Sequence, residues 1–370
     1  MRELVALAIP GGPAFVEAVQ RAWDEGDAVL PVDPRLPGPA RRDLLDELGP
    51  TRVIEADGEV RWLDGGRPVE DGDAIVVATS GSTGAPKGVV HTHASVTASA
   101  RASSSRLEVD PAADRWLACL PLAHIGGLSV VLRALVTGTP VEVHDGFDAE
   151  AVDDAARRGA TLVSVVPTAL ARIHPELFRA LVVGGSAPPD VLPPNAVTSY
   201  GMTETGSACV YDGRPLDGVE VRTAPTGELE VRGPMLLRCY RDGTDPKTAD
   251  GWFATADAGT VDADGTVVVQ GRIDDAIVTG GEKVWPAPVE RVLGNVAGVA
   301  EVAVVGRPDP EWGEQVVAVV VPSHDGAAPS LDVLRDAVRA ELPAYAAPRA
   351  LELVDALPRT PLGKVVRRAL

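Results

Sequence analysis

The sequence predicts an α/β protein: a large N-terminal domain of parallel sheets with helices and a small β subdomain, then a small α+β C-terminal domain. Three observations predict it. From Thr161 onward β-branched runs alternate with helical ones, the mark of βα units around a parallel sheet. Between Thr226 and Gln270 the pattern changes to short strands separated by Gly and Asp. After Arg272 a compact strand-and-helix unit begins, which places the division at residues 1–272 and 273–370.

Each element follows from its residues. Ala74 to Ala78 is a short β-branched run and Val89-Val90 resumes one, so the segment between them connects two strands. Thr161 to Val166 reads as a strand, Pro167 opens a helix, and Leu181-Val182-Val183 reads as the next strand, running into Gly184-Gly185 and Ser186. Gly227 to Val231 and Asp264 to Val269 are strands of the small β subdomain. Beyond Arg272 a helix is expected near Ala287 to Leu293, with strands at Val302 to Val305 and Val316 to Val321. A last helix is capped by Ser330 and places Leu331, Leu334, Val338 and Leu342 on one face. The chain has no internal repeat and no segment of low complexity.

Composition narrows the function. A chain of 370 residues usually splits into domains, and 45% hydrophobic content suffices for real cores. The net charge of -19 argues against nucleic acid or an anionic membrane as partner, since either needs a basic face. Cys119, Cys209 and Cys239 are odd in number and lack metal-type spacing, and neither a signal peptide nor a long apolar span occurs. A cytoplasmic, reducing location and no membrane span are therefore expected.

Residues Thr79 to His91 read TSGSTGAPKGVVH. Gly81, Gly84 and Gly88 permit close backbone approach and positive φ, Ser80, Ser82 and Thr83 bring hydroxyls beside Thr79, and Lys87 brings a cation. That combination suits a polyphosphate. A Walker A loop needs lysine directly after glycine and a hydroxyl residue directly after lysine, whereas this chain has Pro86-Lys87-Gly88.

The string resembles the phosphate-binding signature of the adenylate-forming superfamily of acyl- and aryl-CoA ligases, peptide-synthetase adenylation domains and luciferases. Further strings match in the family's order: Pro121-Leu122-Ala123-His124, Tyr200-Gly201-Met202-Thr203-Glu204, Trp252 to Asp257, Gly271 to Asp275, and Pro361-Leu362-Gly363-Lys364. The resemblance covers about Asp71 to the C-terminus, behind an N-terminal segment that is short for the family. It implies ATP, Mg2+ and the co-substrate CoA, acting on a small-molecule carboxylic acid. A homodimer is compatible with it.

The resemblance also implies roles. Lys364 bridges the acid and the α-phosphate, Tyr200 stacks on adenine beside Gly201 and Met202, Thr203 meets phosphate, and Glu204 holds the metal. Asp257 takes the ribose hydroxyls with Arg272 close by, and Gly184, Gly185 and Ser186 complete the nucleotide site. His124, Gly126 and Gly127 wall the acid pocket, with His124 also a candidate for a direct chemical role. Asp274 is the expected pivot of a mobile C-terminal lid, and Gly280-Gly281 the expected CoA tunnel. His91-Thr92-His93 carries two histidines at i and i+2, which share a face if the strand continues through both, but no third metal ligand is near in sequence.

The pocket strings, with Cys209 to Gly213 and Pro215 to Val219, are most similar to the branch of the family that converts o-succinylbenzoate in menaquinone biosynthesis. That acid carries a second carboxylate, for which Thr168, Ser207 and the backbone of Gly184-Gly185 are the candidate donors. Another aryl- or fatty-acid-CoA ligase and a stand-alone adenylation domain are the alternatives.

Overall fold

The computed structural model of the chain describes residues 2–80, 86–189, 191–323, 328–359 and 365–370. Two compact units form. One comprises Met1–Val221 with Val231–Phe253, the other Arg222–Glu230 with Ala254–Leu370. The boundary between compact units therefore falls ahead of Arg272. The cause is strand pairing: Glu228–Arg232 lies between Glu220–Thr223 and Phe253–Val261, so most of the small β-sheet groups with the C-terminal unit.

The first unit is built on two seven-stranded sheets. In the first, the order from edge to edge is Cys239–Tyr240, Pro86–Thr92, Asp73–Ser80, Ala28–Pro31, Leu4–Ala8, Arg52–Glu55 and Val60–Trp62. Its centre is parallel, and every residue of Leu4–Ala8 is buried, as expected of an inner strand covered on both faces. Asp73–Ser80 and Pro86–Thr92 form an antiparallel hairpin, paired Thr79 to Lys87 and Ser80 to Pro86, so the two described ends of the phosphate-type string face each other across it. The second sheet pairs Trp116–Ala118, Leu162–Val165, Ala180–Val183 and Ala196–Met202, parallel where the pairings are βα crossovers. Leu117, Val163, Leu181 and Val183 fill its core against Val152 and Leu170.

In the second unit the hairpin Val299–Asp309 with Gly313–Pro322 is longer at both strands than the apolar runs alone suggest. Ile277, Val304 and Val316 pack with Val289 of the helix Pro286–Gly294 and with Leu334 and Val338 of the helix Leu331–Glu341. Ser330 caps the latter by accepting from the Val333 N–H. Among the described residues, no helix is long and apolar enough to cross a membrane.

Candidate functional site

Gly81, Ser82, Thr83 and Gly84 lie outside the described residues, and so does Lys364. What flanks them is well defined. Thr79 Oγ1 donates to the Lys87 carbonyl at the hairpin tip, at 3.4 Å. Gly88 serves packing: a Cβ there would lie 2.8 Å from both Leu48 and Arg241 side-chain atoms. Lys87 is exposed, and its ammonium stands over the Tyr240 ring, 5.5 Å from the centroid. The Tyr240 hydroxyl in turn donates to Glu204 Oε1 at 3.0 Å. Burial, then the Glu204 charge and this hydrogen bond, push the phenol well above its usual range, so it remains a donor.

Tyr200 to Thr205 is held from several sides. Tyr200 and Gly201 flank a register shift against Ser207–Tyr211, and a Cβ on Gly201 would lie 2.1 Å from the Ser207 carbonyl oxygen. Thr203 begins a short 3-10 turn closed by Gly206, whose φ is 65°. Its carbonyl accepts from His91 Nε2 at 2.7 Å, and the Glu204 carbonyl accepts from the Leu237 N–H at 2.8 Å. Full burial pushes the His91 imidazole down to about 4. His93, two residues on, begins the helix His93–Arg106 and meets Trp23 edge-on, so the two rings part where strand becomes helix.

Of the residues expected on the acid side, His124, Gly126 and Gly127 lie at the start of the helix Ile125–Thr137, whose N-cap is His124. Burial pushes His124 down, opposed by Asp33. Gly127 must be glycine, because a Cβ would lie 2.4 Å from the Leu120 carbonyl oxygen. Ser129 Oγ bonds the Gly126 carbonyl at 3.3 Å and Ser207 Oγ at 3.2 Å. Ser207 itself holds φ at 103°, a conformation that typically costs about 1–3 kcal/mol and tends to mark functional sites. Thr168 is exposed, which disqualifies it as a deep donor. Gly185, at φ 85°, and Ser186 are exposed as well, while Gly184 approaches Ser199 too closely for a side chain.

Sequence reading missed Arg133. It is 2% exposed, with its guanidinium 5.4 Å from the Trp116 ring centroid. Nη1 reaches Ser164 Oγ at 3.4 Å, and Nε has no partner among the described residues. It lines a small cavity with Ser99, Ile125, Ser129, Leu132 and Gly206. A buried guanidinium so thinly paired suits a ligand anion. A lone arginine within Val130-Val131-Leu132-Arg133-Ala134-Leu135 was the available signal.

In the second unit Arg272 Nη1 donates to Asp257 Oδ1 at 3.2 Å and to the Thr255 carbonyl at 3.0 Å, and Ala256 between them has φ 56°. Asp274 is exposed in the 3-10 turn Ile273–Asp275. Gly280 and Gly281 both have positive φ, and a Cβ on Gly280 would lie 2.9 Å from the Trp312 ring. The segment after Lys364 is fixed by Arg367, which pairs with Glu290 at 2.6 Å and Asp275 at 3.3 Å.

Glu204 fits a magnesium ion: one oxygen accepts from Tyr240, and it makes no ion pair among the described residues, so a hard cation meets free carboxylate oxygen. No group of three or more His, Cys, Asp or Glu able to hold a metal occurs among the described residues.

An exposed lysine on the hairpin, a carboxylate with an oxygen open to a hard cation and a buried, thinly paired arginine suit a nucleotide-dependent enzyme of the acid-activating class. The chain belongs to the AMP-binding enzyme family: residues 65–241 match the family's AMP-binding enzyme domain and 288–364 its C-terminal domain. It is 38% identical to a Mycobacterium tuberculosis protein named probable 2-succinylbenzoate–CoA ligase, over 99% of this chain and 97% of that one. It is also 34% identical to the 2-succinylbenzoate–CoA ligase of Listeria monocytogenes, covering 80% of this chain and 69% of that one. Among solved structures, o-succinylbenzoate CoA synthetase from Bacillus subtilis, in complex with its acyl-adenylate intermediate, superposes with a TM-score of 0.85. There the identity is 28%, over 99% of this chain and 87% of that one. ATP-bound MatB from Rhodopseudomonas palustris, 23% identical with a TM-score of 0.86 over 100% of this chain and 88% of that one, shares the fold.

Proposed function

We propose that this chain is an ATP-dependent acid-CoA ligase. It adenylates o-succinylbenzoate, releasing pyrophosphate, then passes the acyl group to CoA to give o-succinylbenzoyl-CoA and AMP. The observation that carries the reading is the line Lys87, Tyr240, Glu204 at the hairpin tip, in a chain matched nearly end to end by a relative named for this activity.

A carboxylate oxygen attacks the α-phosphorus, the bond to the β-phosphate oxygen breaks, and two anions must be brought together. Lys87 meets the polyphosphate with the loop's backbone N–H groups. Glu204 holds magnesium, which when bound offsets phosphate charge. Tyr200 receives the adenine and Asp257 the ribose. Lys364 steers the carboxylate onto phosphorus. In the second half-reaction the CoA thiol loses its proton and attacks the acyl carbon, and AMP leaves.

The second carboxylate of the acid falls to Arg133, with Ser129 beside it on the same cavity. Residues 273–370 turn about Asp274 between the half-reactions, so that Lys364 serves the first and Gly280-Gly281 the second. The reading implies a cytoplasmic enzyme, consistent with three buried free thiols, of which burial raises Cys119 and Cys209 to about 12. Exchange of labelled pyrophosphate into ATP isolates the adenylation step. O-succinylbenzoate is expected to drive it without CoA, and exchange no faster than in acid-free enzyme would overturn the reading.

A further inference from the structure

Segment 237–241 touches the phosphate hairpin and the metal-type carboxylate at once. Cys239–Tyr240 extends the first sheet antiparallel to Pro86–Thr92, pairing Cys239 with Val90 and Tyr240 with Val89, the latter two residues beyond Lys87. The Arg238 and Arg241 N–H groups donate to the carbonyls of Val90 and Gly88. On the other side the Leu237 N–H takes the Glu204 carbonyl and the Tyr240 hydroxyl takes its carboxylate, so Glu204 is held at both ends by one stretch of chain. Lys247 Nζ ties the stretch down, donating to the Leu237 and Arg238 carbonyls at 2.8 Å each.

We propose that Tyr240 is a positioning residue for magnesium-dependent ATP binding: its hydroxyl orients Glu204 for the metal while its ring seats the Lys87 ammonium. This rests on Glu204 being the metal carboxylate. A glutamate free to rotate must be ordered when the ion arrives. A phenol donating to one oxygen orders it beforehand and leaves the other oxygen for the cation. The same ring face attracts Lys87, so the two charges that meet the polyphosphate share one rigid support.

Calorimetric ATP binding over a series of free Mg2+ concentrations separates the two contacts, with AMP binding as the metal-free reference. Tyr240→Phe keeps the ring and removes the hydroxyl. It is expected to raise the Mg2+ concentration for half-maximal ATP binding by about tenfold or more while leaving AMP binding unchanged. Tyr240→Leu removes both contacts and is expected to weaken magnesium-free ATP binding as well, by about 2- to 5-fold. Glu204→Gln is run alongside. If Glu204→Gln loses the magnesium response but Tyr240→Phe matches the parent, the Tyr240 proposal is overturned and the metal role of Glu204 stands. If Glu204→Gln keeps the parent's response, both fall. Loss of AMP binding in Tyr240→Phe would also overturn the proposal, because it marks a damaged site rather than a displaced carboxylate.

Discussion

Replacing Arg133 with methionine tests the acid pocket. Methionine keeps an unbranched apolar stem against Trp116 and removes a buried charge with one long partner, Ser164 at 3.4 Å, so the fold should survive. A carboxylate docked on the guanidinium gains charge-assisted hydrogen bonds, each contributing about 1.5–3 kcal/mol. One such bond corresponds to about 10- to 150-fold in kcat/KM. The parent enzyme should therefore favour o-succinylbenzoate by that factor over the analogue lacking the carboxylate that is not activated. In Arg133→Met the preference should collapse toward parity, chiefly through loss of activity on the dicarboxylate. Steady-state kinetics of both enzymes on both acids gives the four numbers required. Equal losses on the two acids, or a preserved preference, would refute the assignment and leave Arg133 a structural residue.

His91 predicts an acid-sensitive fold. Its folded value of about 4 lies below the usual 6.5, so the unfolded chain binds the proton more readily and stability falls as pH drops from 6.5 toward 4. The loss attributable to His91 between pH 7 and pH 5 is about 2 kcal/mol. Urea midpoints at the two pH values should draw together in His91→Gln, and an unchanged gap would contradict this. Gly201→Ala puts a Cβ 2.1 Å from the Ser207 carbonyl oxygen, and should cost about 1–3 kcal/mol of stability and weaken AMP binding by displacing Tyr200. A melting temperature and AMP affinity equal to the parent's would show that the strand accommodates it. Lys364→Ala should abolish acyl-adenylate formation yet still convert supplied acyl-adenylate and CoA to thioester, whereas Asp274→Pro, by fixing φ, should do the reverse. Rapid-quench measurement of each half-reaction decides, and equal impairment of both by Lys364→Ala counts against two orientations.

Local chemistry was legible in the sequence wherever it was written in contiguous residues. The β-branched runs around Thr79 to Gly88 gave a hairpin, and Ser330 gave a helix start, because short buried apolar runs and N-cap hydrogen bonding act over a few residues. The runs from Thr161 gave parallel strands joined by a helical turn for the same reason. Tyr240 was not legible: it contacts Glu204 across 36 positions of chain, and only sheet pairing with Pro86–Thr92 brings it there. Arg133 shows in sequence only as a lone cation in an apolar run, and its thinly paired burial is a property of the packed helix. Thr168 illustrates the converse, a polar residue near the right strings whose four-residue helix leaves it exposed.

The most direct test of the central claim is product identity under competition. Enzyme, ATP, Mg2+ and CoA are incubated with equimolar o-succinylbenzoate, benzoate, a medium-chain fatty acid and an amino acid, and the thioesters are quantified by mass spectrometry. The account predicts o-succinylbenzoyl-CoA as the dominant product. A fatty acyl-CoA favoured by about tenfold, a difference of about 1.4 kcal/mol in transition-state binding, would contradict the substrate assignment.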